Sequence, residues 1–263
     1  MTTLAFDDTD AAGGRRSALL LVHGFTLDRH VWDEVVPALA AQSRVLCPDL
    51  RGFGTSPDPQ EGVGYTHADD LASLLDDRGI DDVVAVGLSM GGWVVLEFAL
   101  TYPARVRGLA FVDAVVREHP FPYGWSKHLG AIARCARTEG LDAAMALWLD
   151  DELFAFERAR PALAPRLPAL VAGYRGFHLL HDDPHPAMIP PAINRLAEIT
   201  VPTLVLVGDH DLPDFHEMAT TLSTKIPGAT HNALRNAGHL AHLAAPDEFV
   251  ALLRPLVTAV APG

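Results

Sequence analysis

The sequence predicts an α/β fold with a doubly wound, mostly parallel sheet. Short apolar runs alternate with amphipathic stretches through the first half of the chain. These runs are continuous in Val, Leu and Ala without polar alternation, the pattern of strands buried on both faces of a parallel sheet. The same rhythm resumes near the C-terminus after a long interruption. With 263 residues, 49% hydrophobic and 20% charged, the chain suits a globular fold with a large core that needs no staples.

In chain order, a short strand is expected over residues 2–6. Residues 17–23 (SALLLVH) form another, ending at Gly24. Residues 44–50 (RVLCPDL) follow and run into the turn Arg51-Gly52-Phe53-Gly54. Residues 66–78 predict a helix with Leu71, Leu74 and Leu75 on one face and Gly79 as its stop. Residues 82–88 (DVVAVGL) read as a strand, 91–102 as a helix closed by Pro103, and 106–113 (VRGLAFVD) as a strand.

From Val115 to about Ala197 no strand-like run occurs. Helical pieces are expected at 129–138 and 141–158, then a Pro- and His-rich stretch at 177–191 (FHLLHDDPHPAMIPP). An insertion of ~80 residues is too long for a passive loop. Residues 115–197 are therefore expected to form a helical cap over the C-terminal edge of the sheet, where ligands bind in such folds. Residues 1–114 and 198–263 make the core domain. Strand logic resumes at 201–207 (VPTLVLV), with a helix near 215–225, a short strand near 231–235 and a last helix at 246–260.

Twenty Lys and Arg stand against 33 Asp and Glu, a net charge of −13. That balance argues against nucleic acid and anionic membrane as main partners, because both select basic surfaces. No apolar run approaches the ~18 residues of a membrane span. The start lacks a basic region followed by a long apolar stretch, so a cytoplasmic location is expected. Cys47 and Cys135 read as two buried thiols of a reducing compartment, and no CxxC pair suggests structural zinc. Oligomeric state is not legible.

The sharpest feature is Gly87-Leu88-Ser89-Met90-Gly91-Gly92 between an apolar strand and a helix. In that context G-x-S-x-G is a nucleophile elbow: a tight strand-to-helix turn that lifts Ser89 Oγ into a cleft at a helix N-terminus. Gly87 and Gly91 are expected because side chains there would collide with the neighbouring helix and strand. A serine needs a base, and the base needs an acid. His239, in Asn236-Ala237-Gly238-His239, is the base candidate, with Gly238 leaving room for the imidazole to reach Ser89; His242 is the runner-up. Asp211, in Gly208-Asp209-His210-Asp211, is the acid candidate. Asp113 is its rival at the preceding strand end, and Asp209 is expected to fix the turn. An oxyanion hole would use the backbone N–H groups of Met90 and Phe25, the latter in the turn Val22-His23-Gly24-Phe25. His23 is expected to hold that turn by hydrogen bonding.

With HGF at 23–25, PDLRGFGTS at 48–56, GLSMGG at 87–92, GDHD at 208–211 and AGH at 237–239, the chain resembles the serine-dependent α/β-hydrolase superfamily. Within it the chain is similar to the capped esterases and the 3-oxoadipate enol-lactonase-like group, with cofactor-free perhydrolases and haloperoxidases as near relatives. The resemblance implies the α/β-hydrolase fold: seven to eight mostly parallel strands, with the helical cap inserted after the sixth. Members that dehalogenate or open epoxides use an aspartate nucleophile, and Ser89 stands in that position here. Hydroxynitrile lyases and carbon–carbon hydrolases of ring-fission products also use a serine, so the triad alone leaves them open.

The function expected is cleavage of a small-molecule ester or lactone through an acyl-enzyme on Ser89. A carbon–carbon hydrolase, perhydrolase or lyase is the alternative, and a ligand-binding receptor on the same fold is a reading from another class. No cofactor is called for, because the chain supplies nucleophile, base and electrophile. Trp93, Trp125, Trp148, Phe177 and Met188, together with Phe25 and Phe154, are candidates for an apolar substrate wall. His178, His181, Asp182, Asp183 and His185 have metal-ligand residue types, but their spacing matches no metal motif.

Overall fold

The computed structural model describes residues 4–10, 17–121 and 125–259. Seven strands form one sheet in the order β1-β3-β2-β4-β5-β6-β7. They are β1 (Phe6–Asp8), β2 (Ser17–Val22), β3 (Arg44–Pro48), β4 (Asp82–Leu88), β5 (Val106–Val112), β6 (Thr203–Gly208) and β7 (Thr230–Leu234). β1 runs antiparallel to β3; every other pairing is parallel. Residues 83–88 of β4 and 108–112 of β5 are buried without interruption, which is why the sequence there shows no alternation.

Helices cover both faces of this sheet. Helix α1 (His67–Asp77) starts where Thr66 Oγ1 accepts the Asp69 N–H, and Asp69 and Asp70 favour the positive end of its dipole. It stops at Gly79, whose φ of 62° suits glycine. Helix α2 (Met90–Thr101) follows β4 directly. Between β5 and β6 lies an insert with no strand among its described residues; its longest helices are α3 (Trp125–Thr138) and α4 (Leu141–Leu149). Helices α5 (Pro213–Lys225) and α6 (Pro246–Ala259) complete the C-terminal part. Among the described residues no helix is long and apolar enough to cross a membrane.

Three expectations need correction. The N-terminal strand is Phe6–Asp8 and not 2–6; residues 2 and 3 lie outside the described residues. Its position follows from Asp8, whose buried carboxylate meets Arg44 at 2.6 Å and Arg78 at 2.9 Å. The insert follows the fifth strand, because a single strand precedes β2 among the described residues. The helix expected over 141–158 is broken. Asp151 caps a short turn by accepting the Leu153 N–H at 2.9 Å, and Arg158 donates to the Leu149 carbonyl at 2.6 Å, closing α4.

The Asp8 cluster makes the edge of the sheet sensitive to acid. Burial opposes ionisation of Asp8, but hydrogen bonds from Arg44, the Asp10 N–H and Arg78 outweigh it and hold the carboxyl below its ordinary value of 3.8. Stability from this group is therefore fully present above the unfolded value and lost as pH falls through the folded one. Urea midpoints of the wild type should drop in acid below about pH 4. Asp8→Asn should be less stable at neutral pH and lose less on acidification; equal acid slopes would contradict the account.

Candidate active site

Ser89 joins β4 to α2 with φ 50° and ψ −114°, a conformation strained for any residue with a side chain. The neighbouring glycines make the turn possible. A Cβ on Gly87 would overlap the Gly91 carbonyl, and one on Gly91 would overlap the Val22 carbonyl of β2. The Ser89 N–H donates to the Val112 carbonyl at 2.9 Å. Its own carbonyl accepts from Gly92 at 2.8 Å and Val115 at 2.9 Å. The turn is thus clamped between β2 and β5, the strands on either side of β4.

The structure brings Ser89, His239 and Asp211 together. His239 Nε2 lies 3.0 Å from Ser89 Oγ, and Nδ1 lies 2.9 Å from Asp211 Oδ2. With Asp211 ionised, Nδ1–H is the donor to it, which leaves Nε2 free to accept the serine proton. The Leu212 N–H donates to Asp211 Oδ1 at 2.7 Å. All three residues are buried. Burial pushes the His239 imidazole below its ordinary value, while the Asp113 and Glu157 carboxylates push it up.

The rival groups have other positions. Asp113, fully buried at φ 45°, accepts the Gly208 N–H at 2.7 Å and the Ala241 N–H at 3.3 Å. It thereby ties the loop that carries Asp211 to the loop that carries His239. Burial and the neighbouring Asp211 charge push its carboxyl well up. Asp209 accepts the Ala237 N–H at 3.0 Å and fixes the turn. His242 is fully buried against Trp32, at 4.6 Å between rings, and donates to the Val31 carbonyl at 3.1 Å.

Sequence reasoning missed Glu157. This fully buried residue of the insert accepts the Leu240 N–H at 2.9 Å, next to His239. Gly238 makes room for it: a Cβ there would lie 2.7 Å from Glu157 Oε1 and 2.7 Å from Phe156 Cβ. The glycine accommodates the insert, where the sequence suggested room for the imidazole. No local motif marks Glu157, because its role depends on a contact 83 residues away.

At the turn after β2, His23 is fully buried. Its Nε2 accepts the Leu50 N–H at 3.0 Å, so the ring proton sits on Nδ1 and is donated to the Gly24 carbonyl at 2.8 Å. A trans peptide sends the following N–H the opposite way, so His23 fixes the direction of the Phe25 amide. Among the described residues the N–H groups of Phe25 and Met90 donate to no other group.

Of the candidate wall residues, Phe25, Trp148 and Phe154 stand together beside His239, and Trp93, Phe177 and Met188 lie elsewhere. Phe215, unanticipated, lies 4.4 Å from the His239 ring, and Phe154 lies at 6.4 Å. Trp148 is buried edge-on to Phe25 at 6.0 Å. Trp93 packs against His67 and His185 with the Arg117 guanidinium 5.0 Å over its ring. Phe177 stacks on His181, and Met188 Sδ accepts from Arg195 at 3.5 Å. The side chain of Trp125 lies outside the described residues.

A model of the alpha/beta hydrolase family matches residues 19–252. The chain belongs to that family. This hydrolase is similar to a thermophilic esterase from Thermogutta terrifontis, at TM-score 0.80 and 30% identity over 98% of this chain and 93% of that one. The enol-lactonase from Burkholderia xenovorans LB400 superposes at TM-score 0.78 and 25% identity, over 97% and 96% of the two chains. A Bacillus subtilis protein provisionally assigned as 2-succinyl-6-hydroxy-2,4-cyclohexadiene-1-carboxylate synthase is 26% identical over 273 residues, 95% of this chain and 94% of that protein.

The elbow tolerates no added volume. Gly91→Ala should destabilise the hydrolase by about 1–3 kcal/mol, the usual cost of overpacking, in urea denaturation. An unchanged midpoint would show that the turn can relax away from β2.

Proposed function

We propose that this hydrolase cleaves a small-molecule carboxylic ester or lactone through an acyl-enzyme on Ser89, with residues 115–197 acting as a cap over the site. One observation carries the reading: the unbroken hydrogen-bonded line from Ser89 Oγ through His239 to Asp211, beside two backbone N–H groups that have no partner among the described residues. His239 Nε2 takes the hydroxyl proton as Ser89 attacks the carbonyl carbon. The N–H groups of Phe25 and Met90 hold the oxyanion. The imidazolium, steadied by Asp211, returns the proton to the leaving alkoxide, and water repeats the cycle on the acyl-enzyme. The similarity to an esterase and an enol-lactonase supports this substrate class.

The similarity to the Bacillus subtilis synthase favours a second reading, in which the same three residues serve lyase or carbon–carbon chemistry. A series of p-nitrophenyl esters of increasing acyl length separates the two. The wild type should turn over the short esters, and Ser89→Ala should abolish that turnover. Esters left untouched, with Ser89 still labelled by a fluorophosphonate, would move the second reading ahead.

The pH dependence tests His239 as the base. The neutral imidazole is the active form, and burial lowers its pKa, so kcat/KM should rise with pH along a limb whose midpoint lies below 6.5. A profile that is flat from about pH 4 to about pH 8 would exclude a histidine base.

A further inference from the structure

Trp148 lies in α4 of the insert and is only 2% exposed. Its single polar atom, the indole N–H, donates to Thr26 Oγ1 at 2.8 Å, across 122 residues of sequence. An indole can only donate, so the hydroxyl is the acceptor there. Its own proton then goes to the Phe25 carbonyl, 2.6 Å away. The relay runs in one direction, from the insert into the turn after β2.

The receiving residue is unusual. Thr26 is β-branched and buried, yet its φ is 63°. Such a residue is a genuine outlier in the left-handed region and persists only where its surroundings over-determine it. The Phe25 ring is gripped as well. The indole meets it edge-on at 6.0 Å, Tyr174 at 5.5 Å and Phe53 at 6.1 Å. His23 fixes the peptide plane before Phe25, and the Thr26 relay fixes the plane after it.

We propose that Trp148 is a positioning residue for the oxyanion turn: its N–H holds Thr26 in the left-handed conformation that sets the Phe25 amide beside Ser89. The hole is then complete only when the insert is docked. This rests on the reading of Phe25 N–H as an oxyanion donor. It assigns the Trp148 indole N–H to the turn and away from any substrate.

The test uses Trp148→Phe, which keeps an aromatic ring and removes the N–H, and Thr26→Val, which keeps the shape and removes the hydroxyl. Each should lower kcat on a short p-nitrophenyl ester by about 10- to 100-fold, the scale of a donor displaced but not removed. KM should change by less than about 2-fold, since the relay acts on the transition state. The double variant should be no slower than the slower single, because both cut one relay. Thr26→Ser, which restores the hydroxyl, should recover most of the kcat lost in Thr26→Val. Fluorophosphonate labelling of Ser89 should slow in parallel and needs no substrate.

A raised KM with kcat intact would overturn the proposal by making Trp148 a substrate contact. So would a lowered melting temperature with kcat unchanged, or additive losses in the double variant. Wild-type ester turnover that survives Ser89→Ala would instead sink the acyl-enzyme reading itself.

Discussion

The site depends on one strained turn. Ser89 has φ 50° and ψ −114° because β4 must pass straight into α2 while both lie against β2 and β5. The backbone approaches at Gly87 and Gly91 allow no Cβ, and the hydrogen bonds to Val112, Gly92 and Val115 leave no slack. Strain of this kind persists only on a rigid base. The base here is the centre of a sheet in which Leu20, Val84, Ala110 and their neighbours are fully buried. The candidate nucleophile is therefore held at the buried centre of the sheet.

The other parts are held differently. His239 and Asp211 sit on loops after β7 and β6, joined through Asp113 and through the close passage of Gly208 against the Gly238 carbonyl. The turn after β2 and the His239 loop are each hydrogen-bonded to a buried side chain of the insert, Trp148 and Glu157 respectively. The molecule thus divides its candidate machinery between the buried centre of the sheet and loops fastened to the insert. Electrostatics follows the same division: the helix N-terminus under Ser89 is fixed, while the carboxyls around His239 belong to three separate segments.

Much of this was legible because the signals are local. Strand runs at β2, β4 and β6 announce themselves by burial on both faces. Thr66 and Gly79 mark the ends of α1 within a residue or two. Gly87, Ser89 and Gly91 fall within five residues, and Asp211 and His239 come three and five residues after the ends of β6 and β7. What was hidden depends on distant partners. Asp8 belongs to a strand because Arg44, 36 residues on, neutralises it. Gly238 answers to Phe156 and Glu157 of the insert. The break after α4 needs Arg158 to reach back to the Leu149 carbonyl. The wall around His239 includes Phe215, which the sequence presents only as one more apolar residue of a helix.

Three acids, Asp113, Glu157 and Asp211, converge on one imidazole with almost no contact with water. Burial raises all three carboxyls, so their charges cost more in the folded state than in the unfolded chain. Between the ordinary carboxylate value and those raised values, each rise in pH favours unfolding. The rise in pH that neutralises His239, whose own value burial pushes below 6.5, thus also charges the acids packed around it. Freeing the base loosens the ground on which it stands.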